Sequence, residues 1–265
     1  MNFMENTLNK YLEEFSPISL AEMDSVRLMN RIDTKFVTSY DNFIKLIPFL
    51  KENYYLQDID GRRYGFYHTI YYDTQGFDMY LNHHNGRKTR KKVRMREYTE
   101  SRECFLEVKL KNNKGRTAKK RIRVPAEEEN YLFASDAEPF LQNTALYHNK
   151  DLLAHLENNF DRITMVNKAK TERLTIDMNL SFNNFVTDKK IQIRNLVVIE
   201  LKQDGNQPSP LKSILSDYRI QKQSFSKYCV GAALTNSELK SNRFKKNFIN
   251  LEKLSKYQND FLNLI

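Results

Sequence analysis

Apolar and polar positions alternate through much of this chain, and the alternation decides which side chains share a face. In 103–111, Leu106, Val108 and Leu110 fall on one face and Glu107 and Lys109 on the other. In 116–124, Ala118, Ile122 and Val124 oppose Thr117, Lys119, Arg121 and Arg123. In 173–178, Leu174, Ile176 and Met178 oppose Arg173, Thr175 and Asp177. In 195–202, Val197, Ile199 and Leu201 oppose Val198, Glu200 and Lys202. Further strands are predicted at 31–39, 64–74, 88–98 and 225–234, with a hairpin over 162–180 turning near Thr171 and Glu172. Helical spacing predicts helices within 5–30, broken by Ser-Pro at 16 and 17, and over 40–54, interrupted at Pro48. It also predicts two polar helices over 127–159 and one over 209–220 opened by Ser-Pro. The tail, 236–265, reads as a basic amphipathic helix with Phe244, Phe248, Leu251 and Leu254 on one stripe.

Runs of strands with a helical insertion predict an α+β chain: a large antiparallel sheet, closed, with helices around it. Periodicity leaves two arrangements open. The polar faces are solvated, as in an ordinary half-buried sheet, or they line the interior of a barrel whose apolar outside is covered by helices. The stretch "KKVRMREY" (91–98) poses the question sharply, because strand geometry puts Lys92, Arg94 and Arg96 on one face.

Composition narrows the options. The chain has 265 residues, 40% apolar and 29% charged, with a formal charge of +10. It is long enough for a sizeable core, and its charge favours anionic partners. The two cysteines, Cys104 and Cys229, lie in apolar runs and read as buried and reduced, in a cytoplasmic protein. No apolar run approaches the ~20 residues that span a bilayer, and the first fifteen residues are too acidic for a signal peptide. Seven glycines and no Gly-rich loop leave neither a P-loop nor a dinucleotide fingerprint. No nucleic-acid reading motif is present.

Six stretches occur in order over about residues 31–232: "RIDTKF", "YYDTQGFDMYLNHHNGRKTRKKVRMREY", "FLEVKLKNNKGRTAKKRI", "NKAKTERLTIDMNL", "VVIELK" and "FSKYCVG". Together they resemble the VTC domain, the polyphosphate polymerase domain of vacuolar transporter chaperone complexes, in the triphosphate tunnel (CYTH-like) superfamily. The resemblance implies a closed eight-stranded antiparallel tunnel with a charged interior over 31–235. An N-terminal helical segment (1–30) and a C-terminal helix packed on the tunnel (236–265) would flank it. It implies a phosphotransferase moving the γ-phosphate of ATP onto inorganic polyphosphate with Mn²⁺ or Mg²⁺. A tunnel triphosphatase and a non-catalytic polyphosphate-binding module are the alternatives, and a membrane-protein partner would account for any membrane association.

Roles follow residue by residue from the resemblance. Arg94 and Arg96 match paired arginines that grip the triphosphate, and with Lys227, near the reacting phosphate, they form the implied catalytic set. Lys35, Lys109, Lys119, Arg121, Lys168, Arg173 and Lys202 match phosphate- or nucleotide-binding positions, with a one-residue uncertainty at Lys119 and Arg121. Glu200 matches the metal-holding glutamate. Two departures stand out. The first strand carries Arg31-x-Asp33-x-Lys35, where hydrolytic relatives have Glu-x-Glu-x-Lys, and Lys168 replaces an arginine, losing a bidentate fork. Plainer expectations hold elsewhere: Glu107 as an ion pair with Lys109, Asp73 and Thr74 as turn-formers, and His83 and His84 in a turn without metal. Asp33 and Asp177 are either second metal ligands or side chains that orient a neighbouring cation.

Overall fold

The computed structural model describes residues 3–24, 26, 31–126, 131–205 and 207–255. Eleven strands are described: β1 Pro17–Ile18, β2 Arg31–Thr38, β3 Tyr54–Gln57, β4 Gly65–Asp73, β5 Arg90–Tyr98, β6 Glu103–Lys111, β7 Thr117–Val124, β8 Leu153–Asn167, β9 Glu172–Asn184, β10 Lys190–Ile193 and β11 Val197–Asp204. The helices are α1 Phe3–Glu13, α2 Leu20–Asp24, α3 Tyr40–Asn53, α4 Asp78–His84, α5 Ala137–Ala145, α6 Pro210–Asp217, α7 Lys227–Thr235 and α8 Lys245–Ser255. The chain divides into two compact units, and the ranges of β8 and β9 are divided between them.

The first unit comprises Met1–Gly65, Asp161–Asn179 and Arg194–Phe225. In it β11 pairs antiparallel with β2 on one side and β9 on the other, and β3 pairs antiparallel with β8. One face is apolar: Phe36, Leu174, Ile176, Val197, Ile199 and Leu201 pack with Leu12, Phe43, Leu46, Leu50, Leu211 and Leu215 from α1, α3 and α6. The alternation read from the sequence is the one observed. Pro48 does not interrupt α3, because Phe43, Leu46, Ile47 and Leu50 are buried around it. Packing of that face outweighs the ~3 kcal/mol cost of an interior proline, and Ser39 caps the helix start by accepting from Asn42 N–H at 3.2 Å.

The second unit comprises Phe66–Phe160, Leu180–Ile193 and Ser226–Ile265. Strands β4, β5, β6 and β7 form an antiparallel meander, and β10 pairs with the end of β9. Val93, Met95, Leu106, Val108 and Val124 bury one face against Met79 of α4 and Ala137, Leu141 and Ala145 of α5. Asp73 ends β4 and receives N–H bonds from Thr74, Met79 and Tyr80 and the Tyr228 hydroxyl, so it fixes the turn into α4. His83 and His84 lie on α4 rather than in a turn. Both cysteines are buried and unpaired with each other.

Two elements differ from expectation. Residues 225–234 hold helix α7, capped by Ser226, which accepts from Cys229 N–H at 3.2 Å. Nearly every side chain there is buried, so the run lacks the polar stripe that reveals a helix. Residues 153–159 begin strand β8 instead of ending a helix. Leu152, Leu156 and Phe160, all buried, recur every four residues, a spacing that fits both periods. The rest of that stretch is α5 flanked by single 3₁₀ turns, with 127–130 outside the described residues. Of the predicted tail helix over 236–265, Lys245–Ser255 form α8 and 256–265 lie outside the described residues; Phe244 before α8 is in a 3₁₀ turn and buried, with its ring 5.9 Å from Tyr80.

Gly231 of α7 tests this packing. A Cβ there would meet the Phe182 ring and lie 2.8 Å from Leu156 Cδ2. Gly→Ala in a helix ordinarily stabilises by about 1 kcal/mol. Here overpacking, typically about 1–3 kcal/mol, should win, so Gly231→Ala should lower the melting temperature.

Candidate functional site

In the second unit, strand register lines cations up in rungs across the face opposite α5. Lys92 stands opposite Lys109, and Lys109 opposite Lys119; Arg94 stands opposite Glu107, and Glu107 opposite Arg121; Arg96 stands opposite Phe105, and Phe105 opposite Arg123. Like charges directly opposite one another destabilise a sheet. Glu107 is the carboxylate in these three rungs that offsets them. It is fully buried, and it accepts from Arg94 Nε at 2.8 Å, Arg94 Nη2 at 2.6 Å and Lys119 Nζ at 2.8 Å. Burial alone would raise its pKa, but the charges of Arg94, Arg96 and Lys119 overcome that and hold the carboxyl well below the usual range. The expectation is an ion pair with Lys109; the hydrogen bonds that Glu107 accepts here come from Arg94 and Lys119. Lys109 lies two residues along the same strand, whereas Arg94 is directly across and Lys119 is diagonal.

Arg94 and Arg96 are each only 6% exposed, so this part of the polar face is not solvated. Arg96 donates to Thr69 Oγ1 at 3.4 Å and lies 5.4 Å from the Tyr67 ring and 5.7 Å from the Phe160 ring. Lys227, on the first turn of α7, lies 4.1 Å from the same Phe160 ring. Lys92 donates to Ser226 Oγ at 2.7 Å, which ties the start of α7 to β5. Arg121 stacks 4.2 Å over Phe105. The structure therefore gathers Arg94, Arg96, Lys109, Lys119, Arg121 and Lys227 in one unit, with Tyr67, Phe160, Thr69 and Ser226 as supports the sequence did not single out.

In the first unit, the face opposite α3 carries Lys35 opposite Glu200, Glu200 opposite Thr175, Asp33 opposite Lys202, and Lys202 opposite Arg173. Glu200 is held between two ammonium groups, Lys35 at 3.7 Å and Lys202 at 3.6 Å. Lys35 also donates to Phe225 O at 3.1 Å. Burial pulls the Lys202 ammonium down from its ordinary pKa, and Glu200 opposes that shift. Arg173 Nε and Thr175 Oγ1 are buried with no hydrogen-bond partner. Asp177 takes a bidentate bond from Arg162, at 2.6 and 2.8 Å, so it orients a cation. Arg162 is a further charged residue the sequence reading passed over; its parity with Thr164 was the available signal. Asp33 is paired with Arg31 at 2.8 Å. Lys168 sits exposed in the β8–β9 turn, outside this ion-pair group.

The donor chemistry of Glu200 suits a hard divalent ion shared with phosphate oxygens, since Mg²⁺ is usually bound by one or two carboxylates plus phosphates and waters. It does not suit an ion held by protein alone. Among the described residues no group of three His, Cys, Asp or Glu side chains is placed to hold a metal.

The VTC domain model matches residues 30–236. This chain belongs to the VTC domain family. No curated protein matches this chain. Among solved structures, a proposed adenylate cyclase from Bacillus halodurans is 13% identical, with 75% of this chain and 96% of that chain covered and a TM-score of 0.49. A proposed adenylyl cyclase from Hippeastrum, described as having a dominant triphosphatase activity, is 13% identical over 77% of this chain and 95% of its own, with a TM-score of 0.47.

Glu107 of this VTC domain supplies a stability test. Removing one partner of a buried ion pair costs about 3–5 kcal/mol, so Glu107→Gln should melt well below wild type at pH 7. Its folded pKa is depressed, so the pair's contribution is complete above the unfolded value of about 4.3 and is lost as pH falls toward the folded value. Calorimetry should show wild type losing stability below about pH 5. Glu107→Gln should start lower and lose less over the same range.

Proposed function

We propose that this VTC-family protein is a metal-dependent phosphotransferase that moves the γ-phosphate of ATP onto inorganic polyphosphate. The observation that supports it most is the crowding of Arg94, Arg96, Lys92, Lys109 and Lys119 around one fully buried carboxylate. Phosphoryl transfer asks a protein mainly for positioning and charge neutralisation. A unit-charge pair at ~4 Å is worth about 4 kcal/mol at an effective dielectric near 20 and about 1 in water, so half-buried cations are effective phosphate ligands. Arg94 and Arg96 grip phosphate oxygens in this reading, Lys227 sits near the reacting phosphate, and Lys109, Lys119 and Arg121 neutralise the chain. In the other unit Lys35, Arg173 and Lys202 bind phosphate, with Lys168 as an outer contact. Glu200 would hold Mn²⁺ or Mg²⁺, which when bound neutralises developing charge on phosphate oxygens. This reading carries with it the closed eight-stranded tunnel over 31–235 that the family resemblance implies, a cytoplasmic setting, and a membrane-protein partner as the route to any membrane. No described helix is long and apolar enough to cross a bilayer.

Hydrolysis of triphosphate is the competing chemistry, and the first strand argues against it. Its one acid, Asp33, is tied to Arg31, which leaves that strand poor in metal ligands.

Pure protein incubated with ATP and Mn²⁺ should yield a polyphosphate ladder on a gel. Free phosphate without a ladder would instead identify a triphosphatase, and neither product a binding module. Arg96→Ala should lower turnover at least about a hundredfold, roughly 2.7 kcal/mol of transition-state stabilisation. It is a cleaner probe than Arg94→Ala, which also strands the buried Glu107.

Glu200→Gln should separate binding from turnover. The amide cannot supply the carboxylate charge, so turnover should fall by orders of magnitude and recover incompletely with added Mn²⁺. Metal-free triphosphate affinity should persist or rise, because Lys35 and Lys202 lose their internal counter-ion. Wild-type turnover in this variant would make Glu200 a structural carboxylate.

A further inference from the structure

The cation rows of β5, β6 and β7 do not stop at the rungs assigned to triphosphate. One rung further out, Arg90 stands opposite Lys111, and Lys111 opposite Thr117. Beyond it, at the same end of the meander, lie Arg87 and Lys88 before β5 and Lys114 and Arg116 in the β6–β7 turn, all four exposed. Residues 85–92 and 108–124 contain no acidic residue. Lys111 reports the crowding: burial and then the neighbouring Arg90 lower its pKa. The tip has a defined shape. Asn112 closes the turn by bonding Arg116 in both directions, at 2.9 Å through its own N–H and 3.0 Å through its side chain, and Gly115 adopts the φ of +80° the turn requires.

From Arg96 to Arg90 the face runs about 20 Å along the strand, long beside a triphosphate. Lysines on an edge strand can serve simply to block edge-to-edge association. That need does not explain Arg87 and Lys88, which precede a strand paired on both sides. Nor does nucleic acid fit the tip well, because 85–90 and 111–117 contain no aromatic residue on which a base would stack. We infer that the exposed cations at this tip, Arg87, Lys88, Lys114 and Arg116, form an outer track for the distal phosphates of a long inorganic polyphosphate chain. The inference rests on the phosphotransferase reading and adds a chain-length preference to it: the buried rungs bind any triphosphate, and the tip binds only what extends past them.

The test compares tripolyphosphate with a long polyphosphate of narrow length distribution, by calorimetry at several salt concentrations. Wild type should bind the long chain at least about fivefold more tightly and with a steeper salt dependence, since each added cation contact releases a counter-ion. In the quadruple variant Arg87→Ala, Lys88→Ala, Lys114→Ala, Arg116→Ala, long-chain affinity should fall toward the tripolyphosphate value and the salt slope should flatten. Tripolyphosphate affinity should stay within about twofold. The charge reversal Lys114→Glu, Arg116→Glu should act in the same direction, with melting temperature confirming that both variants fold. Equal long-chain binding by wild type and variants overturns the track alone and leaves edge protection as the role of these residues. An equal loss for both anions overturns it as well. Single-stranded RNA that competes as well as long polyphosphate overturns the assignment to polyphosphate. Wild type that binds neither anion overturns the phosphotransferase reading and the track together.

Discussion

Everything on the charged face of β5–β7 depends on how three cationic rungs coexist. Lys92, Lys109 and Lys119 stand in one line across the sheet, with Arg94, Arg96, Arg121 and Arg123 in the next two. A single fully buried carboxylate, Glu107, makes the arrangement tolerable by bonding Arg94 and Lys119. The cations of these rungs are held close together by a meander whose other face is locked under α4 and α5. On the proposed function, a bound polyanion is what relieves this crowding, and that is the sense in which the charged face would select its ligand class.

The first unit solves a similar problem differently. Glu200 is shared between Lys35 and Lys202, and Asp177 is taken by Arg162. A metal approaching Glu200 meets two ammonium groups, whereas a phosphate arriving there gives those lysines another partner. The unsatisfied Arg173 Nε and Thr175 Oγ1 beside it are donors with nothing yet to donate to. If Glu200 holds a metal as proposed, linkage would favour anion and metal binding together over metal binding alone.

The parity of the strands was legible because each has one apolar face, and a slip of one residue would have turned Leu106, Val108 or Ile199 outward. That is why the placement of Arg94, Arg96, Lys109, Glu200 and Lys202 on polar faces needed no structure. What failed had physical causes. Helix α7 is buried nearly all round, and an all-apolar run carries no period. The start of β8 repeats its large apolar residues every four positions. Partner choice was also illegible: Glu107 selects Arg94 and Lys119 because they are neighbours across strands, and no rule along one strand reveals which cross-strand neighbour wins. Arg162 went unnoticed because its partner, Asp177, is on the next strand.

The central claim is that the crowded cations are relieved by a bound polyphosphate anion. Thermal unfolding with millimolar tripolyphosphate, against sodium chloride at equal ionic strength, tests it directly. Ligand present at a hundredfold excess over its dissociation constant should contribute about 2.7 kcal/mol. A melting temperature several degrees higher in tripolyphosphate than in chloride is the predicted result. Coincident unfolding curves in the two salts would contradict the account.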